Sequence, residues 1–220
     1  MQEKIKEIRT RLRLGMNGVV SQSMREKGVV YKLNFGLLIP QIREIAASFE
    51  KESALAGALW KEDIREFKIL ATLLQPEDEY TWDDALRWIS AIPYQEIAEQ
   101  LCFNLLKKLS YAEELAWHCF FREEGYFRTV AFLVAAHLCR AGHSMEERTA
   151  YALLGTGRYV MDQGVSSAQR AALLAWKQYG RQSPGQAAQV LSLAAGYKDC
   201  GYPDREEFYN DLKFEFDYYR

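Results

Sequence analysis

The chain has 220 residues, of which 49% are hydrophobic and 26% charged, with a net charge of −2. That is ordinary globular composition; it excludes a disordered polymer and argues against a protein that coats nucleic acid indiscriminately. No apolar run approaches the roughly 18 residues a membrane span needs; the nearest, 130–138, is interrupted by His137.

The first 32 residues carry Lys4, Lys6, Arg9, Arg11, Arg13, Arg25, Lys27 and Lys32 against Glu3, Glu7 and Glu26. Charges stand where an export signal would need an apolar stretch, so a cytoplasmic location is expected. The run 28–34 (GVVYKLN) is the β-favouring stretch of the chain and reads as a loop. Ile39, Ile42, Ile45, Ala46 and Phe49 then fall at helix spacing, with Pro40 suited to a first turn. Ile64, Phe67, Leu70, Ala71 and Leu74 continue the pattern up to Pro76, and 83–92 ends at Pro93. Ile97, Leu101, Leu105 and Leu109 form one stripe; 112–121 stops near Gly125 and 127–139 near Gly142.

The second half repeats this grammar. Ser144 with Glu147 three positions on predicts a capping box. Ser166 and Ser167 precede 168–179, Ser183-Pro184 opens 186–195, and Asp204 starts a last helix that is rich in aromatics as far as Tyr219. Its tail is acidic, with Asp204, Glu206, Glu207, Asp211, Glu215 and Asp217 against Arg205, Lys213 and Arg220. The whole predicts about eleven helices joined by short connections. Serial helix pairs point to an all-α chain, an α-solenoid (superhelix) of HEAT-like antiparallel pairs forming one domain over 1–220, with a compact bundle as the alternative.

Four cysteines (Cys102, Cys119, Cys139, Cys200) lie far apart, and with His118, His137 and His143 they make no zinc spacing. Reduced, mostly buried thiols are expected, and no metal or cofactor. Gly155-Thr156-Gly157 lacks the strand and third glycine of a nucleotide fold and reads as helix packing or a turn.

Three stretches together resemble a known family. Asn34-Phe35-Gly36 with Pro40 and Arg43, then Leu59-Trp60 with Arg65-Glu66-Phe67 and Ala71, then Gln169-Arg170-Ala171 with Lys177-Gln178-Tyr179 and Pro184, occur in order over roughly 30–185. They are similar to the motifs of the HEAT-like DNA alkylation repair glycosylases, the AlkD type. The resemblance implies a stack of HEAT-like pairs whose concave basic face holds duplex DNA. It also implies excision of cationic purines such as 3-methyladenine and 7-methylguanine by a monofunctional glycosylase.

That chemistry needs a carboxylate to stabilise a cationic sugar. Tryptophan faces add cation–π attraction of roughly 0.5–2 kcal/mol each. The family supplies a Trp-x-x-x-Asp helix, a later arginine and a second tryptophan. Here Glu96 stands at the tryptophan position and Gln100 at the aspartate; Glu99 serves if the helix shifts by one residue. Glu99 and Glu96 are therefore the catalytic candidates. Arg128 falls one position before the family's arginine, where Thr129 stands; Leu174 takes the second tryptophan position, and Trp176 points away as core. The expected DNA contacts are Lys32, Arg43, Arg65, Arg128, Lys177 and Arg181. A non-catalytic binder of damaged or branched DNA and a protein-binding solenoid are the alternative readings, with no membrane partner.

Overall fold

The computed structural model describes residues 1–163 and 166–218; Tyr219 and Arg220, counted above, lie outside the described residues. Thirteen α-helices are present among them. The first seven are α1 (Gln2–Leu14), α2 (Gly18–Glu26), α3 (Ile39–Ala46), α4 (Ser53–Lys61), α5 (Arg65–Leu74), α6 (Trp82–Ser90) and α7 (Gln95–Asn104). The rest are α8 (Ala112–Phe120), α9 (Phe127–Arg140), α10 (Glu147–Gln163), α11 (Ser167–Gly180), α12 (Pro184–Ala194) and α13 (Pro203–Tyr218). The run 28–34 is a loop, joined by one parallel bridge from Leu33 to Ile64, the residue before α5. No described helix is long and apolar enough to cross a membrane.

Two compact units divide the chain, Met1–Leu109 and Ser110–Arg220. In the first, α5 packs against α3, α4 and α7. Nine of its ten residues are buried, from Arg65 through Thr72 and at Leu74, as expected of a helix enclosed on every side. Beside it, Trp60 of α4 stacks on Trp88 of α6 with ring centroids 4.3 Å apart and planes within 3°. In the second unit α9 has the same place, packed on α8 and α11, with Phe127, Thr129–Ala136 and Cys139 buried.

Two expectations from spacing are corrected. The stripe from Ile97 to Leu109 is not one helix: Leu105 leaves helical geometry (φ −127°, ψ −64°), and a 3-10 turn covers Leu106–Lys108. Ser144 is not the cap of α10, which begins at Glu147. Residues before it are held by Glu113 instead, whose carboxylate accepts from the Glu146 amide (2.7 Å) and lies 2.5 Å from His143 Nε2. Burial alone would push Glu113 up, but these bonds outweigh it and hold its pKa below the usual value.

Cys102, Cys119 and Cys139 are buried and Cys200 is half-buried, and none of the four is in a disulfide. Burial pushes Cys119 and Cys139 up to about 12, so neither ionises near neutrality. The two α10 glycines differ. A methyl on Gly157 would strike the indole of Trp176, whereas one on Gly155 would meet nothing within 4 Å. Trp176 is fully buried and donates from Nε1 to the Leu153 carbonyl (3.2 Å), so it cannot step aside cheaply. Gly157→Ala is expected to cost about 1–3 kcal/mol by overpacking. Gly155→Ala is expected to be neutral or to stabilise by up to about 1 kcal/mol through helix propensity. Urea denaturation of the two variants checks the opposite signs.

Candidate nucleic-acid interface and its buried ion cluster

The residues that made the chain recognisable converge on one buried carboxylate. Glu66, fully buried at the start of α5, accepts from the amides of Phe35 (3.1 Å), Gly36 (3.0 Å) and Leu37 (3.3 Å). Such a bend demands glycine. Gly36 has φ +74°, and a Cβ there would run into the Asn17 carbonyl and the Ser21 amide. Asn34 fixes the same turn by accepting from the Gly36 amide (2.8 Å).

Arg65 completes the cluster. Its Nη1 donates to Glu66 (3.0 Å) and to the Leu37 carbonyl (2.8 Å). Nε and Nη2 make a two-pronged pair with Glu96 of α7, at 2.7 and 2.6 Å. Burial alone would pull the guanidinium down, but Glu96 and Glu66 outweigh it, and its pKa is raised. Arg65 is 2% exposed. Its guanidinium is enclosed and makes four bonds, to Glu66, Glu96 and the Leu37 carbonyl, so here Arg65 braces the fold instead of facing solvent, where a phosphate contact was expected.

The catalytic candidates are separated by the same geometry. Glu96 has both oxygens on Arg65; Glu99 is exposed and accepts from Gln95 Nε2 (2.8 Å). Gln100 accepts from Asn104 (3.2 Å), which also donates to Thr72 of α5 (2.9 Å). One turn past Gln100, Phe103 is 41% exposed. Lys107 Nζ lies 3.7 Å from its ring centroid, and the Arg43 guanidinium of α3 lies 5.2 Å from it. Sequence reasoning singled out Arg43 but missed Phe103 and Lys107. The available signal was an aromatic off the apolar stripe of Ile97 and Leu101.

The other expected contacts divide by unit. Lys32 is exposed in the first. In the second, Arg128 donates to Glu123 (2.8 Å) and to the Phe120 carbonyl (3.2 Å) and lies over the Tyr159 ring. Thr129, at the family's arginine position, is buried with its hydroxyl 3.0 Å from Ser167 Oγ. Lys177 of α11 and Arg181, the residue that follows that helix, are engaged by α13: Lys177 pairs with Asp211 (3.3 Å), and Arg181 pairs with Glu215. Trp176, against Phe208, is core as expected.

The profile of a family described as DNA alkylation repair enzyme matches residues 8–156. The chain belongs to that family. A solved structure described as "A new family of proteins related to the HEAT-like repeat DNA glycosylases with affinity for branched DNA structures" is similar over 97% of this chain and 94% of that one. The TM-score is 0.79 at 11% identity, which establishes a shared HEAT-like fold. No curated protein matches this chain.

Removing one member of a buried pair strands its partner and costs about 3–5 kcal/mol. Arg65→Met is expected to lose stability in that range, because Glu66 stays buried. Glu96→Gln should lose about 1–2 kcal/mol, since its side chain is 32% exposed and water can take over. Urea unfolding of both variants checks the order, and equal losses would contradict it.

Proposed function

We propose that this member of the alkylation repair family binds DNA, with preference for branched structures, and does not excise bases. The observation that carries this reading is the two-pronged Arg65–Glu96 pair. Excision of an alkylpurine needs a carboxylate whose charge is free to stabilise a cationic sugar. Glu96 spends its charge on a buried guanidinium, and Glu99 sits in solvent where its field is screened. The exposed aromatic of α7 carries cations, Arg43 and Lys107, which repel a cationic purine and attract phosphate.

Branched DNA enters as the ligand class because the structurally similar protein is described as having affinity for it. Lys32 and Arg43 are the phosphate contacts of the first unit. In the second, Arg128, Lys177 and Arg181 reach phosphate only by giving up Glu123, Asp211 and Glu215. Such contacts position DNA without reading its bases.

Fluorescence anisotropy on a four-way junction and a plain duplex, with single-turnover release assays on 7-methylguanine duplexes, tests the proposal. Tighter binding to the junction is expected, weakening at least about tenfold between about 50 and about 200 mM salt, with no base released. Lys32→Glu with Arg43→Glu should weaken both DNAs by about tenfold or more. Base release that Glu99→Gln abolishes would instead establish a glycosylase with a relocated acid. No salt-sensitive binding to either DNA would sink the nucleic-acid reading and leave a solenoid for a protein partner.

A further inference from the structure

Of the two glycines in α10, only Gly157 is explained by the fold. The indole of Trp176 leaves no room for a side chain there, whereas a methyl on Gly155 would meet nothing within 4 Å. Glycine is the poorest helix former after proline, so Gly155 weakens α10 although no neighbour requires it. A local cost of this kind is explained when something outside the chain needs the room.

The room opens into a groove. α8 and α10 pack against each other, and a cavity of about 580 Å³ lies between them. Ala152, Gly155 and Thr156 line it with small groups, and Trp117, Phe121 and Tyr151 line it with rings. Trp117 meets Phe121, the residue after α8, edge to face with centroids 5.4 Å apart. Phe121 is 60% exposed and Tyr151 81%, so most of this aromatic surface is left to water.

The charges of the groove point to what covers it. The Arg148 guanidinium lies 5.0 Å from the Trp117 ring centroid, which shows that this face accepts a cation. Arg148 is itself neutralised by Glu146 (2.8 Å). Glu147, which lines the cavity, and Glu114, one turn before Trp117, are exposed and carry no ion pair among the described residues. The charge left over is negative. It repels phosphate, whether of DNA or of an anionic lipid surface, and attracts a lysine or arginine. A small molecule fits poorly, because its pocket would enclose most of its surface, and these rings stay open. A helix laid along the groove covers them: from Glu147 to Thr156, α10 offers about 14 Å at about 1.5 Å per residue.

We propose that the groove between α8 and α10 docks a helical segment of a partner protein, with a large apolar anchor and a lysine or arginine about one turn away. The anchor takes the space left by Gly155, against Tyr151 and Phe121, and the cation meets Glu147. None of the residues assigned to DNA lines this groove, so a protein partner is added to the DNA-binding reading without competing with it.

The test selects binders to the intact protein from a phage-displayed library of random peptides, each long enough for about four helical turns. Enrichment of sequences that pair a bulky apolar residue with Lys or Arg three or four positions away is expected. Gly155→Leu fills the groove and leaves every lining side chain in place; its Cβ has open space, so the variant should fold. It is expected to weaken the selected peptides by about tenfold or more, as is Tyr151→Ala at a largely exposed site. Glu147→Lys should weaken them too and lower their dependence on salt, while junction DNA should bind Gly155→Leu as it binds the intact chain. No enrichment, an acidic consensus, or peptides that bind Gly155→Leu undiminished overturns the proposal. So does a concentration-dependent dimer in sedimentation velocity that Gly155→Leu abolishes, which would give the groove to a second copy of this chain. Loss of junction binding in Gly155→Leu would give it to DNA and overturn the proposal as well. The junction affinity of the intact chain decides the DNA-binding reading separately.

Discussion

The first unit is organised around a charge that has no access to water. A carboxylate as enclosed as Glu66 is tolerated only when hydrogen bonds and an opposite charge replace its lost hydration, which would otherwise cost several kcal/mol. Three successive amides and one guanidinium do that here. Because those amides belong to Phe35, Gly36 and Leu37, the loop entering α3 adopts the one path that delivers them. Because the guanidinium also grips Glu96, α7 is fixed to the same point. Three separate stretches of chain are thus positioned by one buried negative charge.

This brace and the absence of an obvious acid are two sides of one arrangement. The helix that would carry the chemistry is anchored through the residue nearest to being its acid. What remains of the α7 surface is an amide, Gln100, a screened carboxylate, Glu99, and an aromatic attended by two cations. A surface of that kind suits a polyanion better than a positively charged leaving group.

Much of the fold was legible because helix periodicity and Pro, Ser and Gly punctuation mark most elements from α3 onward. α2 shows no apolar stripe, its one buried residue being Ser21, and α4 (SALAGALWK) is apolar nearly all round, so no face stands out. The broken end of α7 was hidden because Leu105 and Leu109 keep the apolar spacing after the helix has stopped. The motifs Asn34-Phe35-Gly36 and Arg65-Glu66 identified the family correctly, but that Arg65 is buried could not be read from them. A buried arginine and a surface one look alike until burial is known. Pairing partners were equally invisible: nothing near Lys177 or Arg181 in the chain announces Asp211 and Glu215, more than thirty positions away.

Those long-range pairs bear on what ionic strength can report. Binding to DNA is driven largely by release of the small ions that surround free charges. Lys177, Arg181 and Arg128 are already neutralised by carboxylates of their own chain. A phosphate that meets them displaces a tethered counterion, which goes nowhere, so little mixing entropy is gained. The last helix therefore acts as an internal salt for α11, and a salt titration counts the lysines and arginines that lack one.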